Sequence, residues 1–238
     1  MNTNRRVFLL ANRKISIILL GIMINTILFD KDGTLIDTEK LYIPTHIRTF
    51  EKLGYKLTAE QALLFRSLGA PFCEQLVNNL SESGIDWKEF SELRKKIYDG
   101  ILAENGLENK PHARESLERL AGHGYRLAIV TATPTEVAEE ELERAGLLDM
   151  FEDIVSAHTV KCGKPAPDVY VYACKKLGIE PKDTIAVEDS PNGVISASDA
   201  GCNTVMIPDL TEPDEEISKR LYSKQQSLVS LADWLCGK

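Results

Sequence analysis

The chain has 238 residues, of which 43% are hydrophobic and 27% are charged. This apolar fraction excludes an intrinsically disordered chain, and the length predicts one large domain or a core domain that carries a smaller insertion. The formal net charge of −8 argues against nucleic-acid binding, which depends on basic residues that neutralise phosphates. On the same ground, the overall acidity at first disfavours an anionic substrate.

The cysteines and histidines show none of the spacings that are typical of a zinc site. The five cysteines form no C-x-x-C pair, and the four histidines lie far from one another along the chain. We therefore expect reduced thiols and a cytoplasmic protein.

Residues 1–22 differ in composition from the rest of the chain. They contain four basic residues and no acidic one, and they end in an apolar run over residues 15–22. This pattern resembles a signal peptide, but a small-x-small cleavage motif is missing and the run is too short to span a membrane. Because Met23 directly precedes a strand-like segment, our hypothesis is that Met23 is the natural start and that residues 1–22 are an N-terminal extension. The alternative is a weak targeting or anchoring segment, and we expect no membrane association unless residues 1–22 are native.

Short apolar segments that end in polar residues predict the strands of a sheet. They span residues 24–29, 126–130, 153–157, 184–187 and 203–207. Unbroken apolar runs of this length are typical of strands that are buried on both faces, as in a parallel sheet. Amphipathic segments that predict helices lie near residues 113–122, 135–146, 167–178 and 192–200. The alternation predicts an α/β fold with a doubly wound, Rossmann-like parallel sheet.

Between the first two predicted strands the sequence shows only helical periodicity. Apolar residues recur at helical spacing over residues 41–53, 59–68, 72–80 and 87–102. A crossover between parallel strands needs about one helix. We therefore interpret residues 38–107 as an inserted, all-helical cap subdomain, and residues 23–37 and 108–238 as the α/β core.

Polar residues stand directly after three of the predicted strands. Asp30 follows the first strand, Thr131 follows the second, and the pair Glu188 and Asp189 follows the fourth. In open α/β sheets, ligands bind outside the carboxyl ends of the strands, so we expect these side chains in one crevice. Acidic side chains in one place repel each other unless a cation lies among them, and carboxylate oxygens suit Mg²⁺. The sequence therefore predicts a Mg²⁺ site at this edge of the sheet.

Residues 30–34 read Asp-Lys-Asp-Gly-Thr and resemble the D-x-D-G-T signature of the haloacid dehalogenase superfamily. Thr131 is similar to the Ser/Thr of the second motif of that superfamily, and Lys164 is similar to the lysine of the third. Residues 188–193 resemble the acidic fourth motif in the form E-D-S-x-x-G. The resemblance covers about residues 23–208. The helical insertion occupies the cap position of the branch that contains β-phosphoglucomutase and phosphoglycolate-type phosphatases.

The resemblance implies a role for each acidic residue of these motifs. Asp30 would attack a phosphorus atom and form an aspartyl-phosphate. Asp32 would protonate the leaving oxygen and then take a proton from the attacking water. Mg²⁺ would be bound by Asp30, by the backbone carbonyl of Asp32 and by Asp189. Glu188 would orient metal-bound water from behind these ligands.

The resemblance also implies which residues bind the transferred phosphate. Lys164 would supply a fixed positive charge, and Thr131 and backbone N–H groups near it, such as that of Ala132, would donate hydrogen bonds to the phosphate oxygens. Gly33 would let the backbone approach closely after the strand. Because a metal ion and Lys164 reverse the local field, the net acidity of the chain does not exclude an anionic substrate.

The sequence alone also offers structural interpretations for single motifs, such as a polar turn for D-x-D-G, but their joint occurrence in order favours an enzyme. We predict a Mg²⁺-dependent phosphatase that acts on a small phosphorylated metabolite, with sugar phosphates and phosphoglycolate-like acids as the leading classes. One alternative is a phosphosugar mutase of the β-phosphoglucomutase type. Another is a non-catalytic phosphate-binding protein, which the intact Asp30 and Asp32 disfavour. The oligomeric state is left open, and a monomer is consistent with the sequence.

Two positions in the insertion depart from the mutase pattern. Tyr42 stands where the mutase has a histidine, and Phe72 stands where our alignment places the arginine that binds the second phosphate. Both departures weaken the mutase interpretation, although Arg66, Arg94 and Lys96 lie nearby and could substitute.

Two groups of residues outside the motifs receive structural interpretations. Tyr42 and His46 are expected to have a core or surface role on an amphipathic helix of the insertion, with contact to substrate as the alternative. A run of acidic residues is predicted to form the solvated face of a helix. These residues are Glu136, Glu139, Glu140, Glu141 and Glu143.

Overall fold

A computed structural model describes residues 17–19 and 22–237, with side chains from residue 24 onward. The hypothesis that residues 1–22 are an extension before a natural start at Met23 falls largely outside these residues. Strand β1 (Ile17–Leu19) pairs antiparallel with β2 (Ile22–Ile24). Among the described residues, no helix combines the length and the apolar composition that crossing a bilayer requires.

Six further strands form one parallel sheet in the order β5-β4-β3-β6-β7-β8. They are β3 (Thr26–Phe29), β4 (Arg126–Thr131), β5 (Ile154–Ser156), β6 (Thr184–Glu188), β7 (Asn203–Met206) and β8 (Ser223–Lys224). Phe29 at the end of β3 lies in register with Ile129 of β4 and Val187 of β6. The residues that follow these three strands therefore meet at one edge of the sheet.

Helices cover both faces of this sheet, and the alternation of side chains along β3 explains why. Ile27 and Phe29 belong to the hydrophobic cluster on one face, whereas Leu28 belongs to the cluster on the other face. The helices of the core are α5 (Ala113–Gly122), α6 (Thr135–Arg144), α7 (Asp168–Leu177), α8 (Pro191–Asp199), α9 (Glu215–Ser218) and α10 (Leu228–Cys236). Both faces are thus buried, and the predicted doubly wound α/β fold is confirmed.

Four helices lie between β3 and α5 in the chain. They are α1 (Glu39–Lys52), α2 (Ala59–Leu63), α3 (Phe72–Leu80) and α4 (Trp87–Asn105). They share a hydrophobic cluster of their own, separate from the two clusters on the sheet, in which the rings of Phe50, Phe65 and Phe90 pack together. Helix α2 begins at a capping box between Thr58 and Gln61, which satisfies two backbone donors at its start.

Some predicted boundaries differ from the structure. The predicted strand over residues 24–29 is divided at the exposed Asn25, so that Ile24 ends β2 and Thr26 begins β3. The helix predicted over residues 59–68 ends at Leu63, because the following segment docks on the core: the Gly69 N–H donates to the Lys164 carbonyl at 2.9 Å. The short strand β8 and the helices α9 and α10 were not predicted from the sequence.

Candidate active site

The carboxyl ends of β3, β4 and β6 bring the predicted motif residues together. Asp30 follows β3, and Glu188 and Asp189 stand at the end of β6; all three carboxylates are buried. The buried Lys164 Nζ lies 2.6 Å from Asp30 Oδ1 and 2.6 Å from Glu188 Oε1, and it donates a third hydrogen bond to the Val130 carbonyl at 2.9 Å. The four residues therefore form one charged cluster at the sheet edge.

Three carboxylates of this cluster lie close together, and each has one oxygen without a hydrogen-bond partner in the described chain. One oxygen each from Asp30, Glu188 and Asp189 lies within 4.8 Å of the others. Within the described part of the chain, Asp30 Oδ2, Glu188 Oε2 and Asp189 Oδ1 are buried and accept no hydrogen bond. Buried carboxylate oxygens without partners are costly, and hard oxygen ligands suit Mg²⁺. The donor set therefore fits a divalent cation.

The pKa values of the three acids are raised, as expected where buried carboxylates lie together without enough positive charge. Burial raises the pKa of Glu188 to about 8 and that of Asp189 to about 7. Burial also raises the pKa of Asp30, although the Lys164 ammonium opposes the shift. Each shift reflects the cost of ionising an acid among other buried acids. A cation among these oxygens would lower all three pKa values.

Two motif glycines leave room for these carboxylates. Gly33 has φ of +77°, a conformation that favours glycine, and a Cβ at this position would collide with the Asp189 carboxylate. A Cβ at Gly193, near the start of α8, would collide with the Glu188 carboxylate. The Gly33 N–H donates to the Ile36 carbonyl at 2.8 Å, within the turn that follows Asp32.

The Asp32 carboxylate lies apart from the three-carboxylate cluster and is fully occupied by donors. Its Oδ1 accepts from Lys31 Nζ at 2.5 Å and from Thr38 Oγ1 at 2.6 Å. Its Oδ2 accepts from Thr133 Oγ1 at 2.8 Å and, more weakly, from Thr131 Oγ1 at 3.5 Å. Burial opposes ionisation of Asp32, but the Lys31 charge and these hydrogen bonds hold its pKa below its usual value.

A buried network of ion pairs behind Asp32 was not predicted from the sequence. Lys31 is fully buried, and its Nζ lies 2.5 Å from Asp32 Oδ1 and 2.5 Å from Glu141 Oε2. Glu141 in turn accepts from the Tyr98 hydroxyl of α4 at 2.7 Å. The prediction that Glu141 belongs to a solvated helix face is therefore wrong. Glu141 lies on the buried face of α6, next to Leu142, because it neutralises Lys31.

Arg66, in the segment after α2, contacts the acidic cluster from the inserted helices. Its Nη2 donates to the Asp189 carboxylate and to the Asp189 carbonyl, and its Nη1 donates to Thr211 Oγ1 at 2.9 Å. The buried Glu39 carboxylate lies 3.9 Å from Arg66 Nε, and burial raises the pKa of Glu39 well above its usual value. From the sequence, Arg66 was expected only as a possible substitute for the mutase arginine, and no motif predicted this contact.

A cavity of about 180 Å³ lies between the inserted helices and the carboxyl edge of the sheet. Asp30, Asp32 and Ala132 line it on the core side. The side of the inserted helices contributes aromatic and polar side chains. These are Tyr42, His46, Phe65, Trp87 and Arg94. A small molecule in this cavity would contact the predicted nucleophile and the inserted helices at the same time.

Comparison with known proteins agrees with this arrangement. The family of haloacid dehalogenase-like hydrolases matches residues 27–207. A phosphorylated carbohydrates phosphatase of Thermotoga maritima is 33% identical over 185 residues, which are 75% of this chain and 82% of that protein. The solved structure of CbbY from Rhodobacter sphaeroides in complex with phosphate has a TM-score of 0.73 and 25% identity, and covers 88% of this chain and 96% of that chain. A putative β-phosphoglucomutase from Thermotoga maritima has a TM-score of 0.67 and 26% identity, covering 89% and 98%.

Proposed function

The chain belongs to the family of haloacid dehalogenase-like hydrolases and is a phosphoric monoester hydrolase, and we propose that it hydrolyses a small phosphorylated metabolite through an aspartyl-phosphate on Asp30, with Mg²⁺ as cofactor. One observation carries the proposal. The buried Asp30 has one oxygen bound by Lys164 and a second oxygen without a partner in the described chain, and one of its oxygens lies within 4.8 Å of oxygens of Glu188 and Asp189. A nucleophilic carboxylate next to a cation site is what phosphoryl transfer to a side chain requires.

The proposed reaction has two steps. In the first, Asp30 Oδ2 attacks phosphorus, the bond from phosphorus to the ester oxygen breaks, and protonated Asp32 gives its proton to that oxygen. In the second, Asp32 takes a proton from water as the water attacks phosphorus, which frees Asp30 and releases inorganic phosphate. Against the opposing effect of burial, the Lys31 charge keeps the pKa of Asp32 below its usual value, so this carboxylate is in the ionised form that can accept a proton in the second step. For the first step, an approaching phosphate dianion would raise the pKa of Asp32 by like-charge repulsion.

The remaining motif residues would bind Mg²⁺ and the phosphate. We assign Asp30, Asp189 and the backbone carbonyl of Asp32 as ligands of Mg²⁺, and the free Oε2 of Glu188 would orient water on the ion. The ion would offset the negative charges of nucleophile and phosphate. Lys164, Thr131 and the backbone around Ala132 would hold the phosphate oxygens in place.

We propose that residues 38–107 act as a cap over the core formed by residues 23–37 and 108–238. This division is supported by the separate hydrophobic cluster of α1 to α4 and by the cavity between these helices and the sheet edge. A cap in this position would exclude bulk water from the reacting groups. The cysteines of the described chain are free thiols, which is consistent with a reducing cytoplasm.

The test is phosphate release from a panel of small phosphate esters by the purified protein with Mg²⁺. Asp30→Asn should lower the turnover on the order of 1000-fold or more, whereas Asp99→Asn, which changes an exposed ion pair on α4, should leave it unchanged. Rapid quenching should give a phosphate mass increment on a peptide containing Asp30. Undiminished turnover by Asp30→Asn would refute the assignment of the nucleophile.

The same panel separates the mutase alternative. Conversion of β-glucose 1-phosphate into glucose 6-phosphate without net release of phosphate would favour a mutase. Phe72 contributes no charge at the position of the mutase arginine, and Arg66 is already bound to Asp189. A cation that binds a second phosphate does not by itself distinguish a mutase from a phosphatase. The expectation of hydrolysis therefore rests on Tyr42, which stands where the mutase has a histidine.

A further inference from the structure

We propose that Arg94 binds a second anionic group of the substrate, so that the substrate is a phosphate ester whose leaving group carries a carboxylate or another phosphate. The inference rests on the proposed phosphatase function and narrows its substrate class. Arg94 lies on α4 and lines the same cavity as Asp30 and Asp32. It therefore faces the part of a bound molecule that extends from the reacting phosphate toward the inserted helices.

Arg94 differs from the basic residues that contact the acids near the cavity, because no acidic residue of the described chain pairs with it. Lys31, Lys164 and Arg66 each form ion pairs with buried carboxylates. On α4 itself, Lys88 pairs with Glu92 and Lys95 pairs with Asp99. Among the described residues, none forms an ion pair with Arg94. This half-buried guanidinium is thus a positive charge that the protein does not balance locally.

The groups that surround Arg94 are uncharged near pH 7. Burial, helped by the charge of Arg94, holds the pKa of His46 well below its usual value, so its ring is neutral. Burial raises the pKa of the Tyr42 hydroxyl and of the Cys73 thiol, so both stay protonated. A guanidinium among neutral groups attracts an oxyanion more strongly than a guanidinium that is already paired, because no carboxylate has to be displaced.

His46 adds a second polar group to the same part of the cavity. Its side chain is 4% exposed, and its Nδ1 has no hydrogen-bond partner in the described chain. The ring stacks on Phe65 at a centroid distance of 4.4 Å and on Tyr42 at 6.3 Å, which fixes its orientation. A buried ring nitrogen without a partner is costly unless a ligand supplies one. His46 and Arg94 line the same cavity, and the charge of Arg94 acts on the His46 ring.

The volume of the cavity suits a small metabolite. A volume of about 180 Å³ accommodates a compact leaving group beside the phosphate. Such a molecule would place its ester phosphate at Asp30 and its second anionic group at Arg94. A neutral leaving group of the same size would leave the guanidinium without a partner, and we expect such esters to bind more weakly.

The test compares two pairs of esters that differ in one charged group. The first pair is 3-phosphoglycerate and glycerol 3-phosphate, which differ by a carboxylate. The second pair is fructose 1,6-bisphosphate and fructose 6-phosphate, which differ by a phosphate. Binding is measured by calorimetry with Mg²⁺ on Asp30→Asn, which holds substrate without turning it over, and on the double variant Asp30→Asn/Arg94→Met.

In at least one pair, we expect the ester with the second anionic group to bind about 10- to 100-fold more tightly than its partner, as for a hydrogen-bonded ion pair. Arg94→Met should abolish this difference in affinity. It should change the affinity for the ester without the second anionic group by less than about 3-fold. Arg94→Lys should retain part of the difference, and Lys95→Met, on the exposed side of α4, should retain all of it. An unchanged melting temperature of Arg94→Met confirms that the variant is folded.

The inference is overturned if the two esters of each pair bind with equal affinity, or if Arg94→Met weakens the binding of both esters equally. Because the readout is binding, it is independent of turnover. If the wild-type protein releases no phosphate from any ester but the difference in affinity is present, the phosphatase proposal fails and the subsite stands.

Discussion

Replacing Lys31 by methionine tests whether the buried acids behind the active site depend on one cation. Lys31 is fully buried between Asp32 and Glu141, with 2.5 Å to each carboxylate. Burial opposes its charge, but the two acids raise its pKa above the usual value, so the ammonium is charged. Methionine keeps the aliphatic length and removes the charge, which leaves two buried carboxylates without their shared partner. Removing one member of a buried ion pair costs about 3–5 kcal/mol.

For a chain of this size, such a loss lowers the melting temperature by about 6–20 °C. The assay is urea unfolding at pH 7, followed by circular dichroism. The matched control is Lys95→Met, which breaks an exposed ion pair with Asp99 and should cost less than about 1 kcal/mol. Adding Glu141→Gln to Lys31→Met removes one of the stranded charges and should recover about 1–3 kcal/mol. If Lys31→Met unfolds with the same free energy as Lys95→Met, the reasoning is refuted.

Two further predictions concern the glycine beside Glu188 and the buried His46. Gly193→Ala places a methyl group against the Glu188 carboxylate and should weaken Mg²⁺ binding about 10- to 100-fold in calorimetry. Gly100→Ala, at an open position of α4, should change nothing except a gain of up to about 1 kcal/mol in stability; equal Mg²⁺ affinity in both variants would contradict the steric argument. The pKa of His46 in the folded protein is well below its value of about 6.5 in the unfolded chain. On acidification, the unfolded chain therefore binds a proton at His46 before the folded protein does. Below about pH 6.5, this residue lowers the free energy of unfolding by about 1.4 kcal/mol per pH unit, until the pH reaches the folded-state pKa. In urea unfolding at pH 7.5 and 5.5, His46→Gln should lose less stability on acidification than the wild type, and equal losses would exclude this role.

The sheet and its acidic edge were predictable because their signals are local. The strand that ends at Phe29 and the strand that contains Val187 are apolar because both of their faces are buried. Asp30 follows the first of these strands, whereas Glu188 ends the second and Asp189 follows it, so all three acids stand at the carboxyl edge of the sheet. Parallel pairing then brings Asp30, Glu188 and Asp189 together without further information from the sequence.

The residues that balance these acids were not predictable in the same way. Glu141 belongs to an acidic run in which neighbours such as Glu140 are exposed, and only the packing of α6 decides that it is buried. Arg66 lies where the periodicity predicts a continued helix, but docking on the core ends the helix at Leu63. Both roles depend on contacts between distant parts of the chain, with Glu141 reaching Lys31 and Arg66 reaching Asp189.

These contacts give the inserted helices an electrostatic role in addition to their role as a cover. Arg66 supplies the positive charge that faces Asp189, and Tyr98 supplies a hydrogen bond to Glu141, which shares Lys31 with Asp32. Any movement of the inserted helices away from the sheet must break both contacts. The charge balance of the acidic cluster and the position of these helices are therefore coupled, because an acid that loses its buried partner must bind a proton, a cation or water instead.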